Sequence, residues 1–250
     1  MEKTQPNSMP KILVNSVPKS GTHLLIQILL GIQGMKIAPS WVYEQNLDEL
    51  IKFDSGTVTP AHLPYSKEVA DRLNNLGIRT IFISRDLRDI AVSLYHFALE
   101  NRFGKHPLHP ILTKFQTDEE RLMVVIKGYS SNGIKWPNIL EFTQSRYGWL
   151  GASNVLCVTF EELMKNEQSR EQALLKIVNY LWNDLKILRM SKDEIMEVMF
   201  NSIKPKESGT FRKGKIGSWK NEFSKQHKEA FKAIAGDFLI QLGYEENHNW

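Results

Sequence analysis

Four short runs of apolar residues divide the chain into repeating strand and helix segments. Three of them, at residues 12–17, 80–84 and 155–159, are almost continuously apolar, and a weaker one covers residues 56–61. Each is followed by a polar turn and a helix-like segment, an order typical of βαβ units with a parallel sheet. Helices are predicted at residues 20–31, 66–75, 87–100, 118–127, 134–145, 171–181, 193–200 and 225–242.

This alternation predicts an α/β fold with a central parallel sheet flanked by helices. The length of 250 residues suits one core, so we expect a flexible N-terminus at 1–10 and a single domain at 11–250. Ligands of such sheets bind beyond the carboxyl ends of the strands. Lys19, Arg85 and the residues after Thr159 are therefore expected at one edge. Residues 101–117 and 204–221 lack a clear period and are predicted to be loops.

The turn after the first strand has the character of a phosphate-binding loop. It contains Pro18-Lys19-Ser20-Gly21-Thr22-His23 and leads into an apolar helix. A tight glycine turn before a helix directs backbone N–H groups and the helix N-terminus at one point, which suits a phosphate. Lys19 can add a positive charge, and Ser20 and Thr22 can add hydroxyl donors. Because the lysine precedes the only glycine, the order does not fit a Walker A motif.

Two further clusters offer groups for an anion. Arg85 ends a predicted strand and Ser93 follows eight residues later, about two helical turns. They provide a planar fork of donors and a hydroxyl. The plain alternative is a capped helix with Arg88 and Asp89 in solvent, which the pattern favours for Arg88. Later in the chain, Arg212-Lys213-Gly214 allows side chains and N–H groups to converge on one anion.

Composition narrows the class of protein. The net charge of +4 and the pI near 9.0 suit a small polyanionic ligand, but there is no dense basic run for nucleic acid. Cys157 is the only cysteine and lies in an apolar run, so we expect a structural thiol in a reducing compartment. No apolar run is long enough to span a membrane, and residues 1–10 lack a signal-peptide core. A cytoplasmic protein is therefore predicted.

Taken in order, the three clusters resemble the cytosolic type of sulfotransferases, which use 3′-phosphoadenosine 5′-phosphosulfate (PAPS). Pro-Lys-Ser-Gly-Thr is similar to that family's loop for the 5′-phosphosulfate, and Arg85 with Ser93 to its 3′-phosphate site. Arg-Lys-Gly-x-x-Gly-x-Trp-Lys is similar to its late loop that closes on the nucleotide. The resemblance implies a P-loop-like fold and metal-independent, in-line transfer of the sulfuryl group to a hydroxyl or amine of a small-molecule acceptor. The product of the donor would be 3′-phosphoadenosine 5′-phosphate (PAP).

The resemblance also implies roles for individual residues. His62, just after a strand, would be the general base, since a neutral imidazole can take the proton of an acceptor hydroxyl. Lys19 would neutralise charge on the departing phosphate, with Ser93 as the third catalytic residue. The implied nucleotide contacts are Lys19, Ser20, Gly21, Thr22, His23, Arg85, Ser93, Phe160, Asn201, Ile203, Phe211, Arg212, Lys213 and Gly214.

The chain departs from the family pattern at several positions. Pro60 stands where members commonly have a lysine, Leu24 where they often have a tryptophan, and Phe160 where a tyrosine is common. The family's C-terminal dimer motif is also altered, so no oligomeric state is predicted. The acceptor pocket is expected to have an aromatic wall, but phenols, alcohols, amines, sugars and lipid headgroups all remain open as acceptors. The candidate pocket residues are Trp41, Tyr43, Phe103 and Phe115.

Two other classes of protein, a kinase and a nucleic-acid-binding protein, remain as alternatives to a sulfotransferase. A P-loop-type kinase would need a Walker lysine after the last loop glycine and a carboxylate for Mg²⁺, and neither is evident. A non-catalytic nucleic-acid-binding protein would use the basic residues 212–220. It leaves His62 and Lys19 without a role, and few aromatic residues are interleaved with the charges.

Overall fold

A five-stranded parallel sheet organises one of the two compact units of the structure. The computed structural model describes residues 8–204, 207 and 212–250. The strands lie in the order β2-β3-β1-β4-β7, and the two remaining strands form a separate antiparallel hairpin. The strands are β1 (Lys11–Ser16), β2 (Lys36–Ile37), β3 (Thr57–Ala61), β4 (Ile78–Ser84), β5 (Tyr129–Ser131), β6 (Ile134–Trp136) and β7 (Val155–Thr159).

The described residues of the ranges 1–84 and 146–214 make up one compact unit, the sheet unit, and those of the ranges 85–145 and 215–250 make up a second, the helical unit. In the sheet unit, alternate residues of each strand point to opposite faces. Ile12 and Ile81 belong to the large apolar core formed with α1, α8 and α9. Phe82 points the other way and meets the ring of Tyr147 edge to face. Helices of this unit are α1 (Thr22–Leu30), α2 (Lys67–Asn75), α7 (Phe160–Met164), α8 (Glu167–Leu185) and α9 (Lys192–Asn201), with a 3₁₀ segment at Glu44–Lys52.

The helical unit is built around α3, which contacts α4, α5 and α10, while α5 also contacts α11. Its core includes edge-to-face and tilted contacts among the rings of Trp219, Phe223, Phe231 and Trp250. The helices are α3 (Leu87–Glu100), α4 (His109–Leu112), α5 (Asp118–Lys127), α10 (Trp219–Glu222) and α11 (Lys225–Gln241); α6 (Ile139–Tyr147) runs across the division between the units.

The α/β class and the central parallel sheet are confirmed. The helix expected at 134–145 is wrong in its first part, because residues 134–136 form β6 and α6 begins only at Ile139. The cause is an Asn-Gly turn: Asn132 has φ 49° and Gly133 φ 77°, as type I′ hairpin turns require. The short helix α4 also lies within the stretch expected to be a loop.

Candidate active site

The turn between β1 and α1 brings its backbone to the surface in an unusual conformation. Lys19 has φ 72° and Gly21 φ 102°, both in the left-handed region. A Cβ atom at Gly21 would lie 2.7 Å from Cδ2 of Phe160, so glycine is required by space as well as by conformation. Backbone N–H groups of such a turn form a concave surface for an anion, and α1 begins directly behind it.

Ser20 stabilises this turn from inside. Its side chain is fully buried, and the hydroxyl lies 2.6 Å from the carbonyl oxygen of Val17 and 2.9 Å from that of Ile83. Its backbone N–H donates to the Val17 carbonyl at 3.1 Å. Since a serine hydroxyl has one proton to donate, the expected hydroxyl contact from Ser20 to a ligand is replaced by a role in shaping the turn.

The start of α1 lies beside the positive charge of Lys19. The first turn of this helix contains no acidic residue. Burial lowers the pKa of His23, and the charge of Lys19 lowers it further. A helix N-terminus with a nearby ammonium group favours an anion.

His62 follows β3 and is held by the last residue of β1. Its Nδ1 lies 3.0 Å from the backbone carbonyl oxygen of Ser16 and 2.9 Å from the Ser16 hydroxyl. A carbonyl only accepts hydrogen bonds, so Nδ1 carries the proton and the neutral ring has its lone pair on Nε2. This is the tautomer in which Nε2 can accept a proton.

The surroundings of His62 keep the imidazole neutral. The pKa of His62 is lowered to about 4, mainly by burial and also by the charges of Arg146, His23 and Lys19, against the hydrogen bond to Ser16, which raises it. Arg146 is itself fixed to this residue, since its Nε donates to the His62 carbonyl oxygen at 3.0 Å. Burial also lowers the pKa of Arg146. The His62 ring is therefore surrounded by groups that favour negative charge nearby.

Two of the expected pocket residues lie beside this imidazole. The ring centroid of Trp41 is 4.9 Å from that of His62, and Tyr43 stacks on Trp41 at 6.5 Å with planes 16° apart. The Val42 N–H donates to the Pro60 carbonyl oxygen at 2.9 Å, which anchors the segment to β3. These contacts form an aromatic surface next to the candidate base.

The other residues of the sheet unit that are expected to contact the nucleotide have varied surroundings. Phe160 begins α7, is 5% exposed and covers Gly21. Asn201 is exposed at the end of α9, and Ile203 is half-buried against the core. Arg212, Lys213 and Gly214 belong to this unit, and Phe211 lies outside the described residues.

Arg85 and Asp89 form a buried pair in the helical unit. The Arg85 Nη2 donates to the Lys215 carbonyl oxygen at 2.8 Å and lies 3.4 Å from Asp89 Oδ2. The two Asp89 oxygens accept the N–H groups of Gly217 at 2.7 Å and Trp219 at 3.1 Å. Burial raises the pKa of Asp89, opposed by Arg85 and by these N–H groups. Asp89 thus connects the start of α3 to residues 215–219.

The alternative in which Arg88 and Asp89 lie in solvent, favoured by the pattern for Arg88, is wrong. Arg88 is 2% exposed and Asp89 1%. The Arg88 guanidinium pairs with Asp86 at 2.7 Å and with Glu245, and it lies 4.0 Å from the ring of Trp219. Aromatic faces and two carboxylates offset the cost of burying this charge.

Ser93, Phe103 and Phe115 also belong to the helical unit. Ser93 is half-buried on α3, one turn beyond Asp89 and on the same side of the helix. Phe103 is 64% exposed, with its ring 6.0 Å from Phe97. Phe115 lies edge to face with Tyr129 at 6.2 Å. Both phenylalanines therefore contact aromatic neighbours within their own unit.

Sequence reasoning missed three residues of this arrangement. Ser16 looked like part of an apolar strand, and Asp89 like a solvated helix residue. Arg146 is distant in sequence from every motif, so only the fold reveals that it contacts His62. The only available signal was the position of Asp89 in the first turn of α3, four residues after Arg85.

Other kinds of site are not evident in the part of the chain that is described. Within residues 8–204, 207 and 212–250, no cluster of three or more His, Cys, Asp or Glu side chains could hold a metal ion. Among the helices of the same residues, none has the length and apolar character needed to cross a membrane. Burial raises the pKa of the Cys157 thiol to about 11, which agrees with a structural role.

Comparison with known families assigns the class. The family model of the sulfotransferase domain matches residues 9–243, and this chain belongs to that family. It is therefore an enzyme of the sulfotransferase type, and the family assignment favours this class over the kinase and nucleic-acid alternatives.

Individual relatives are distant but cover most of the chain. Sulfotransferase 2A1 of Rattus norvegicus is 25% identical over 89% of this chain and 82% of its own length. Sulfotransferase 2B1 of Homo sapiens is 27% identical over 92% of this chain and 66% of its own. Among solved structures, mouse sulfotransferase SULT7A1 in complex with PAP is similar, with a TM-score of 0.67, 22% identity, and coverage of 92% of this chain and 84% of that one.

Proposed function

We propose that this protein transfers the sulfuryl group of PAPS to a hydroxyl or amine of a small-molecule acceptor, with His62 as the general base. The observation that carries the proposal is the hydrogen bond of His62 Nδ1 to the Ser16 carbonyl, which leaves Nε2 to accept a proton. The same Ser16 side chain contacts Thr22 at the start of α1. The base thus lies beside the turn that suits an anion.

The residues present fit a phosphosulfate group. The turn has the positive φ values at Lys19 and Gly21 that expose backbone N–H groups, and α1 has no acidic residue in its first turn. The solved structure of SULT7A1 contains PAP, which supports the same nucleotide for this chain.

The chemistry follows from these positions. When bound, PAPS supplies a sulfuryl group whose bond to the 5′-phosphate oxygen breaks as the acceptor oxygen or nitrogen bonds to sulfur. His62 Nε2 takes the proton of the acceptor. Lys19 and the N–H groups of the turn stabilise the negative charge that develops on the departing phosphate.

A second cation is available near the base. The family lysine expected two residues before the base is Pro60 here, and Arg146 lies against His62 from a different element. We assign to Arg146 the task of holding the His62 backbone and adding positive charge to this part of the site.

The acceptor is proposed to rest on the aromatic surface of Trp41 and Tyr43 next to His62. An aromatic surface accepts the apolar part of many molecules, so it supports no single acceptor class. The cytoplasm is the compartment that the family resemblance implies.

The test combines binding and turnover. Calorimetric titration should show PAP binding to the wild type and its loss in Arg85→Ala. The variant removes a guanidinium expected to contact the nucleotide and its hydrogen bond to the Lys215 carbonyl oxygen, which helps to hold residues 215–219. Arg102→Ala is the matched control, since Arg102 is an arginine of the same unit, 47% exposed and paired with Glu100. His62→Ala should retain PAP binding and lose turnover with an acceptor panel by about 10²- to 10⁴-fold. Absence of PAP binding to the wild type would overturn the proposal.

A further inference from the structure

The hydroxyl of Ser16 occupies a central position between the anion-binding turn and the base. Ser16 is fully buried at the end of β1. Its Oγ lies 2.7 Å from Thr22 Oγ1, 2.9 Å from His62 Nδ1 and 3.3 Å from the Ala61 carbonyl oxygen. Three polar partners thus compete for one proton and two lone pairs.

The backbone carbonyl of Ser16 determines the directions of these hydrogen bonds, since it can only accept. Because Nδ1 of His62 donates toward that carbonyl, the Ser16 hydroxyl oxygen, 2.9 Å from Nδ1, acts as a second acceptor for the same proton. The Ser16 proton then points to Thr22 Oγ1 at 2.7 Å or to the Ala61 carbonyl oxygen at the longer 3.3 Å. If it points to Thr22, the Thr22 hydroxyl has its own proton for another acceptor.

An anion at the start of α1 decides between these directions. A phosphate oxygen accepts and never donates, so it takes the proton of Thr22 and leaves Thr22 to accept from Ser16. Ser16 then accepts no hydrogen bond from Thr22, so its oxygen stays available to accept from His62 Nδ1. Acceptors on Nδ1–H stabilise the imidazolium that forms when Nε2 takes a proton.

We propose that Ser16 and Thr22 form a hydroxyl relay that couples occupation of the turn at residues 18–22 to the proton-accepting strength of His62. This inference rests on the proposed function and deepens it, because it makes Ser16 a positioning residue that acts through the base. No proton travels along the relay; only the orientation of two hydroxyl groups changes. By linkage, a protonated His62 should also strengthen binding of the anion.

The experiment measures the His62 imidazole by nitrogen-15 NMR, in the presence and absence of PAP. In the wild type, we expect PAP to raise the pKa of His62 and to leave Nδ1 protonated in the neutral ring. Direct attraction by the phosphate contributes to this shift, whereas the charges of Lys19, His23 and Arg146 lower the pKa of the ring both with and without PAP. The variant must therefore remove the hydroxyl and leave these charges in place.

Ser16→Ala does this, because the backbone carbonyl still holds Nδ1. We expect its PAP affinity to stay within about threefold of wild type, the PAP-induced pKa shift to shrink, and kcat to fall about tenfold with the donor KM unchanged, as for loss of one hydrogen bond. Ser16→Thr restores a hydroxyl and should restore the shift. Thr22→Val, tested at saturating PAP, interrupts the relay from the other end and serves if Ser16→Ala fails to fold.

The outcomes separate the two proposals. If PAP binds and sulfuryl transfer proceeds, but Ser16→Ala retains the full PAP-induced shift and kcat, the relay is overturned and the proposed function stands. If the wild type binds no PAP, the proposed function itself fails.

Discussion

The two segments proposed to bind the anionic groups of the nucleotide use different physical means. At the turn between β1 and α1, the backbone is arranged by a glycine with φ 102°, a lysine with φ 72° and a serine bonded to carbonyls. At the start of α3, the arrangement depends on charged side chains, with Arg85 and Asp89 joined to the backbone of residues 215–219. The first is built from backbone conformation and the second from buried charge.

The difference has consequences for how each segment tolerates substitution. A turn that depends on backbone conformation is disrupted when a larger side chain no longer fits, because of steric conflict. A charge arrangement fails when one partner is neutralised, because the remaining charge stays buried without compensation. The first segment should therefore be sensitive to size and the second to charge.

Gly21→Ala should have the largest effect. The added Cβ would lie 2.7 Å from Phe160 and would occupy a left-handed conformation, which costs about 1–3 kcal/mol before any steric conflict is counted. We expect a lower free energy of unfolding and loss of PAP binding by more than about 100-fold, since the N–H groups move. Denaturant unfolding and calorimetry measure the two effects. Combination with Phe160→Leu should recover part of the stability, and an unchanged PAP affinity in Gly21→Ala would contradict a backbone-built site.

Asp89→Asn should have an intermediate effect at nearly constant size. Each carboxylate oxygen now accepts one backbone N–H, from Gly217 and from Trp219, and the amide can accept only one of them. We expect PAP affinity to fall about tenfold, as for one lost charged hydrogen bond. Asp71→Asn, at an exposed ion pair with Lys67, is the control. Equal affinities for both variants would show that Asp89 does not organise residues 215–219 for binding.

Arg146→Gln should have the smallest effect, a change in the pH dependence of activity. Burial, helped by the charge of Arg146, holds the pKa of His62 at about 4, below its ordinary value. The unfolded chain then binds more protons between about pH 6.5 and pH 4, so the free energy of unfolding falls as the pH decreases through that range. Removing the Arg146 charge should raise the His62 pKa and move the acid limb of kcat/KM for the donor to higher pH. Arg146→Lys keeps the charge and should leave the limb near its original position.

Much of the fold could be predicted from local patterns. Helix α3 at Leu87–Glu100, helix α5 at Asp118–Lys127 and strand β7 at Val155–Thr159 have the predicted bounds, because their apolar period and end signals agree. The hairpin at 129–136 was missed although its Asn-Gly turn was present, since the apolar residues after it also fit a helical period.

In the candidate site, too, some features follow from local sequence and others only from the tertiary structure. The sequence by itself determined the glycine turn, the lysine beside it and the position of His62 after a strand, because these depend on local backbone geometry and on residue type. Only the tertiary structure decided that Ser20 faces inward, that Asp89 and Arg88 are buried, and that Ser16 and Arg146 contact His62. The contacts of Ser16, Arg146 and Asp89 join residues 46 to 130 positions apart. They arise because parallel strands bring their carboxyl ends to one edge and because burial gives a polar group its partners, and neither can be read from a local pattern.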